Sequence, residues 1–193
     1  MKICVFGAAS NEIDEVYIRE VEKLGEEMAK RGHSLVFGAG GNGLMGAVAR
    51  GVRRCEGEII GVIPKFFREE KIEAIYDSCD ELIFTDTMAE RKTTMENLAD
   101  AFITVPGGIG TFEEFFEVFT LKQLARHTKP IVIFDIKGYY KGMKEFLKVA
   151  VGEGFVRQEC ENLYDYSDNI DEVLAFIEND DREVRGVRDL KNG

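Results

Sequence analysis

The sequence predicts an α/β fold, a doubly wound and mostly parallel sheet with helices on both faces. Three observations indicate it. Short apolar, β-branched runs alternate with helical patterns along the chain, small-residue turns follow three of those runs, and no linker or internal repeat divides the 193 residues. Strands that alternate with helices form parallel βαβ units with right-handed crossovers. Ligands of such sheets bind beyond the carboxyl ends of the strands, so the three turns mark one edge as the candidate site.

In the first half of the chain, apolar runs bounded by turn residues predict four strands. They are Lys2–Phe6, Ser34–Phe37, Glu58–Ile63 and Glu81–Thr85. Apolar residues at helical spacing predict helices over Glu12–Lys30 and Leu44–Cys55, and Lys65–Tyr76 fits a short helix followed by a loop. The turns Gly7–Asn11 and Gly38–Gly43 follow the first two strands.

The second half continues the alternation and completes one domain. Helices are predicted over Thr87–Asp100, Phe112–Ala125, Tyr139–Val151 and Ile170–Glu178, and strands over Ala101–Val105, Pro130–Asp135 and Leu163–Tyr166. Residues 1–180 are therefore expected to form a single domain, and the charged residues 181–193 a frayed tail.

Composition excludes several classes of function. The net charge of −11 and the pI of about 4.8 argue against general binding of nucleic acid or of anionic membranes. The four cysteines show no C-x-x-C spacing and only two histidines are present, so no metal site is expected. No apolar run approaches the roughly 20 residues that span a bilayer. The chain enters a strand from its start with no signal peptide, so a cytoplasmic location is expected.

A glycine loop between a strand and a helix is the main candidate site. Gly107, Gly108 and Gly110 follow the strand that ends before Pro106, and glycine lets a ligand approach the backbone closely. Thr111 fits a helix N-cap with Glu114 three residues later, as in a capping box. Free amides and the positive helix end would then bind an anion. The alternative is a plain βα turn in which Glu114 only caps its helix.

One arginine lies where an apolar residue is expected. Arg91 shares a helical stripe with Met88, Met95 and Leu98, and a buried guanidinium needs an anionic partner. That partner is either a structural ion pair or, alternatively, a ligand phosphate or a catalytic carboxylate. Arg91 begins the helix that leads into the key strand and Glu114 begins the helix that leaves it, so both are expected at one strand end.

Other chemistries fit less well. Residues 38–43 match G-x-G-x-x-G, but the next strand ends at Ile63–Pro64 without the carboxylate that a dinucleotide site requires. No Walker A motif, nucleophile elbow or lysine suited to a Schiff base is present. Glycine cradles, one arginine and one carboxylate suit cleavage of an N-glycosidic bond, because a carboxylate stabilises the oxocarbenium-like transition state.

Three motifs together resemble the LONELY GUY family, the cytokinin riboside 5′-monophosphate phosphoribohydrolases that are often mislabelled lysine decarboxylases. The motifs are E-R-K-T-T-M at 90–95, P-G-G-I-G-T-F-E-E at 106–114 and G-A-G-G-N-G-L-M-G at 38–46. The resemblance covers Lys2 to Glu178. It implies a Rossmann-like nucleotide-binding domain, a homodimer, no cofactor, and release of the base from AMP or N6-modified AMP; lysine decarboxylase activity is not expected. The alternative is a non-catalytic nucleotide or cofactor carrier on the same fold.

The resemblance also implies site residues. The motif arginine and glutamate fall on Arg91 and Glu114, which look like the catalytic pair. The implied substrate-binding residues are Ser10, Gly43, Glu81, Met88, Lys92, Gly107, Gly108, Gly110, Thr111 and Glu113. The chain departs from the family at Ala8 in the first turn, at Ala39 in the second, and at Leu121 in place of a tryptophan, which leaves the base preference open.

Overall fold

The structure is a computed structural model that describes residues 1–180 and Leu190. The strands are β1 (Lys2–Phe6), β2 (Ser34–Phe37), β3 (Ile59–Pro64), β4 (Glu81–Thr85), β5 (Ala101–Thr104), β6 (Ile131–Phe134) and β7 (Asp165–Ser167). The α-helices are α1 (Glu15–Lys30), α2 (Gly43–Arg54), α3 (Lys65–Glu69), α4 (Met88–Leu98), α5 (Ile109–Gln123), α6 (Lys141–Gly152) and α7 (Ile170–Glu178). Short 3₁₀ turns cover Ile136–Gly138 and Gln158–Leu163.

The strands form one seven-stranded sheet in the order β4-β3-β2-β1-β5-β6-β7. All six strand pairings in it are parallel. The doubly wound α/β fold predicted from the sequence is confirmed. The strand order reverses direction between β1 and β5, and a crevice opens beyond the carboxyl ends of strands at such a point.

The sheet has a core on each face because successive strand residues point to opposite sides. In β1, Ile3 and Val5 join the core beneath α1, α2 and α7, whereas Cys4 and Phe6 join the core beneath α4, α5 and α6. A strand buried on both sides reads as a continuous apolar run, which is the pattern that predicted it.

Two helices, α1 and α5, begin three residues away from their predicted starts at Glu12 and Phe112. α1 begins at Glu15 because the side chain of Asp14 accepts a hydrogen bond from the amide of Val16 at 2.9 Å. α5 begins at Ile109, with Gly108 as its N-cap. Thr111 therefore lies inside the first turn of α5, and the predicted Thr111–Glu114 capping box is wrong. Glu114 is one turn into the helix, where it does not serve as a cap.

The predicted tail, residues 181–193, lies outside the described residues except for Leu190. The Leu190 side chain is buried, and its carbonyl accepts a hydrogen bond from Nε2 of Gln123 at 3.1 Å. Within the described part of the chain, no helix has both the length and the apolar character that crossing a bilayer requires.

Candidate active site

A pocket of about 190 Å³ opens beyond the carboxyl ends of the central strands. Its walls come from the turn after β1, the glycine loop after β2, the segment between α3 and β4, and helices α4 and α5. The lining residues are Val5, Gly7, Ala9, Gly38, Gly40, Met45, Phe67, Glu73, Arg91, Met95, Gly110, Thr111 and Glu114.

In the loop between β5 and α5, two carbonyls are occupied by hydrogen bonds from main-chain amides. The carbonyl of Pro106 accepts from the amide of Ala8 at 3.1 Å, and that of Gly108 accepts from the amide of Phe112 at 3.0 Å. Among the described residues, no acceptor is found for the amides of residues 108–111. Unpaired amide donors at the positive end of a helix are the arrangement that binds anions in proteins.

Only the first glycine of this loop is required by the fold. A Cβ on Gly107 would lie 2.1 Å from Oγ1 of Thr111, whereas a Cβ on Gly108 or Gly110 would meet nothing within 4 Å. Gly107 thus makes room for the buried Thr111 side chain. Gly108 and Gly110 border open space, which is where a ligand would be held.

Arg91 is held by neutral groups. Its Nε donates to the carbonyl of Val62 at 3.2 Å and its Nη2 donates to the carbonyl of Gly38 at 3.1 Å. The guanidinium also lies over the ring of Phe67, 5.6 Å from its centroid. No carboxylate of the described residues lies within ion-pair distance of it, so its positive charge stays available to a ligand. The expected apolar stripe is only partly present, because Met88 is 39% exposed while Met95 is buried.

The Arg91 side chain leaves no room for a Cβ at Gly38. A Cβ at Gly38 would lie 1.7 Å from Nη2 of Arg91. The first glycine of the G-x-G-x-x-G match therefore admits a side chain of α4, and its role is not close approach to a pyrophosphate.

Glu114 enters the pocket from α5 and is partly buried. Burial raises the pKa of its carboxyl to about 7, although the Arg91 guanidinium opposes this rise. No hydrogen bond or ion pair to its carboxylate is found within the described ranges. The charge of Arg91 therefore offsets only part of the cost of burying an ionised Glu114, and a cationic centre in a ligand would stabilise the carboxylate further.

Glu73 is a second carboxylate of the pocket, and the sequence did not indicate it. Its Oε1 lies 3.2 Å from the position that a Cβ would take on Gly40. Burial raises the pKa of Glu73, and the Arg91 guanidinium again opposes the rise. The loop that carries it contains several carboxylates, and no local pattern distinguishes this one.

Main-chain hydrogen bonds fasten this loop, residues 74–76, onto the second glycine turn. The amide of Gly41 donates to the carbonyl of Ala74 at 2.7 Å, and the amide of Tyr76 donates to that of Ala39 at 2.8 Å. Ala39 adopts a left-handed conformation with a φ of 59°, which glycine would take at lower cost. The departure at Ala39 therefore leaves the shape of the turn intact.

Ser10 and Gly43 lie together beside the pocket. The amide of Gly43 donates to Oδ1 of Asn11 at 2.9 Å, and a Cβ on Gly43 would lie 2.5 Å from the carbonyl oxygen of Ser10. Gly43 has a φ of 54°, so the position favours glycine on two counts. The Ser10 hydroxyl accepts from the amide of Glu12 at 3.1 Å and is exposed.

Lys92 and Glu113 form an ion-pair cluster between α4 and α5. The Lys92 ammonium contacts Glu113 and lies 2.7 Å from Oε2 of Glu117. Burial lowers the pKa of Lys92, but the hydrogen bonds and charges of these two carboxylates together outweigh it and raise the pKa above its ordinary value. Neither Lys92 nor Glu113 lines the pocket.

Glu81 is the one predicted substrate residue that the structure places far from the pocket. It is the exposed first residue of β4, paired in register with Ile60 near the start of β3. Starts of parallel strands lie at the sheet edge opposite to their carboxyl ends. The expectation of Glu81 near base or sugar is therefore corrected, and within this chain Glu73 occupies the pocket instead.

Comparisons with known proteins agree with the motifs. A family model described as possible lysine decarboxylase matches residues 45–177. The cytokinin riboside 5′-monophosphate phosphoribohydrolase of Mycobacterium tuberculosis (strain ATCC 25618 / H37Rv) is 40% identical over 89% of this chain and 90% of its own. The cytokinin riboside 5′-monophosphate phosphoribohydrolase LOG2 of Arabidopsis thaliana is 36% identical over 92% of this chain and 82% of its own.

Among solved structures, the molybdenum cofactor carrier protein of Chlamydomonas reinhardtii superposes with a TM-score of 0.69. The two chains are 22% identical, and the match covers 92% of this chain and 95% of the carrier. This likeness shows a shared fold.

Proposed function

The chain belongs to the family described as possible lysine decarboxylase, together with cytokinin riboside 5′-monophosphate phosphoribohydrolases, and from this membership we propose that it is a nucleoside 5′-monophosphate phosphoribohydrolase. The substrate is AMP or an N6-modified AMP, and the products are the free base and ribose 5-phosphate. The observation that supports this most is the pocket itself, which is lined by Arg91, by Glu114 and by the first turn of α5. Among the residues that the structure describes, neither side chain has an ion-pair partner and the first amides of α5 have no acceptor.

Each group has a role in the proposed reaction. The amides of residues 108–111 bind the phosphate, and Arg91 neutralises charge and orients the nucleotide. The bond between C1′ and the base nitrogen breaks, its electron pair leaves with the base, and the base takes up a proton from water. Glu114 stabilises the cationic sugar by charge or by a transient covalent bond, and hydroxide from the same water then adds at C1′.

Lysine decarboxylation fits this pocket poorly. That reaction needs a lysine that forms a Schiff base with pyridoxal phosphate. None of the described residues that line the pocket is a lysine, and the nearby Lys92 is paired with Glu113 and Glu117. A family description as possible lysine decarboxylase is therefore better understood as a label for the fold than for the chemistry.

The direct test is release of base from AMP and from N6-isopentenyl-AMP, followed by reversed-phase chromatography. We expect both substrates to yield free base, and Glu114→Gln to remove the activity. Glu113→Gln is the matched control, because Glu113 is one residue away on α5 and outside the pocket lining. Unchanged activity in Glu114→Gln would contradict the assigned mechanism. Tight nucleotide binding by calorimetry without any base release would favour a carrier function instead.

We also propose that the protein is a homodimer. Two apolar side chains next to pocket residues face solvent: Ile109, beside Gly110, is 83% exposed, and Met88, which contacts Arg91, is 39% exposed. Covering such side chains with a second copy would stabilise the assembly. Light scattering should give twice the chain mass of 21.8 kDa, and a monomer at micromolar concentration would contradict the proposal.

A further inference from the structure

Two adjacent tyrosines hold the carbonyls on either side of Pro106, where the chain leaves β5 and enters the amide cradle. The hydroxyl of Tyr140 donates to the carbonyl of Val105 at 2.8 Å, and that of Tyr139 donates to the carbonyl of Gly107 at 2.7 Å. The sheet provides no strand partner at these positions, since β5 ends at Thr104. Side chains from the loop after β6 therefore take the place of the β ladder.

The loop that presents the tyrosines is itself constrained. Lys137 and Gly138 both have left-handed backbone, with φ of 59° and 69°. For a residue with a Cβ this conformation is unfavourable, and such strain persists where surrounding contacts impose it. The ammonium of Lys137 pairs with Asp14 at 2.7 Å, and the amide of Tyr140 donates to Oδ1 of Asp135 at 2.7 Å.

The two tyrosines differ in what they contribute to the core. Tyr140 is fully buried and packs edge-on against Phe112, with ring centroids 6.0 Å apart. Tyr139 is 44% exposed, and its ring packs edge-on against Tyr17 at 6.2 Å. Burial in the core explains why an aromatic residue is present at position 140. It does not explain why the half-exposed Tyr139 donates a short hydrogen bond to the Gly107 carbonyl.

Peptide geometry gives the Tyr139 hydrogen bond a function. In a trans peptide the C=O and the following N–H are coplanar and point in opposite directions. A hydroxyl that holds the carbonyl of Gly107 therefore also fixes the amide of Gly108, directed away from Tyr139. Neither Gly107 nor Gly108 carries a Cβ that would limit the backbone angles on either side of this peptide.

We propose that Tyr139 is a positioning residue that orients the Gly107–Gly108 peptide, so that the Gly108 amide is presented to the phosphate of the substrate. This role rests on the proposed phosphoribohydrolase function, but it concerns only phosphate binding. It predicts that loss of the hydroxyl weakens binding of phosphate-bearing ligands and leaves the base end of the site unaffected.

The test is Tyr139→Phe, with Tyr17→Phe as the matched control, because both variants keep the packed ring pair. We expect KM for AMP to rise roughly fivefold, the effect of one neutral hydrogen bond, with kcat within about twofold of wild type. The dissociation constant for ribose 5-phosphate, measured by calorimetry, should rise by the same factor. Inhibition by free adenine should not change, and Tyr17→Phe should behave as wild type.

Several results would overturn the assignment. Unchanged affinity for ribose 5-phosphate, or equal weakening of ribose 5-phosphate and adenine, would remove the positioning role. A fall in melting temperature of more than about 5 °C would make Tyr139 a structural residue. If the wild-type protein binds ribose 5-phosphate but releases no base from AMP, the proposed enzyme function fails, and Tyr139 is then judged by ribose 5-phosphate affinity alone.

Discussion

Replacing Glu114 by glutamine should stabilise the fold at alkaline pH while it removes catalysis. Burial raises the pKa of Glu114 to about 7 from an ordinary value of 4.5, so the folded state disfavours the ionised carboxylate. For a raised pKa, stability is fully present below the unfolded value and is lost as the pH rises through the folded value. From these two pKa values, Glu114 lowers the free energy of unfolding by at most about 1 kcal/mol at pH 5 and about 3 kcal/mol at pH 8.5.

The assay is thermal unfolding of wild type and Glu114→Gln at pH 5 and at pH 8.5. Because 1 kcal/mol corresponds to about 2–4 °C in a chain of this size, we expect the variant to melt about 5–10 °C higher at pH 8.5 and only slightly higher at pH 5. Glu113→Gln should not show this growing difference, since Glu113 is exposed and paired with Lys92. If the variant is stabilised equally at both pH values, burial does not disfavour the ionised Glu114 carboxylate and the reasoning is refuted.

Further expectations concern the pH profile, two glycines and the arginine. If the ionised Glu114 is the active form, kcat/KM for AMP should rise with pH and level off above its pKa of about 7, and a flat profile from pH 5 to 9 would contradict this. Gly110→Ala should raise stability by about 0.5–1 kcal/mol, because it lies inside α5, yet raise KM severalfold. Gly107→Ala should cost about 1–3 kcal/mol in a denaturant titration, since its Cβ would meet Thr111. Arg91→Lys should lower kcat/KM by about 100-fold, as lysine lacks the fork that reaches two carbonyls.

The fold could be predicted from the sequence because each strand and helix has its own signal within a short stretch of the chain. Each buried strand is an apolar run with its own turn residue, and alternation with helices then implies parallel pairing. The start of α5 was misjudged because Gly108 and Thr111 are both acceptable N-caps by residue type. The Thr111 side chain packs over Gly107, so Thr111 lies inside the helix and Gly108 is the N-cap. The spacing of residues in the sequence does not reveal this contact.

Part of the candidate site could also be predicted from local sequence patterns. Arg91 and Glu114 stood out because each conflicts with its local pattern, and the structure lines one pocket with both, although their catalytic roles stay a prediction. Glu73 had no such signal, since a main-chain bridge between distant segments places it. The error at Glu81 has a different cause. A residue that begins a parallel strand lies at the sheet edge opposite to the site, so the predicted topology alone argues against Glu81 as a site residue.

The bridge between Gly40 and Ile75 joins two parts of the pocket wall that come from distant segments of the chain. Helices α4 and α5 supply Arg91 and Glu114 to the pocket, whereas the stretch from α3 to β4 supplies Phe67 and Glu73. Main-chain hydrogen bonds join this stretch to the second glycine turn, and they do not depend on the identity of the side chains. Side chains of this stretch can therefore change without loss of those hydrogen bonds, so the wall that carries Phe67 and Glu73 can vary while Arg91 and Glu114 keep their places.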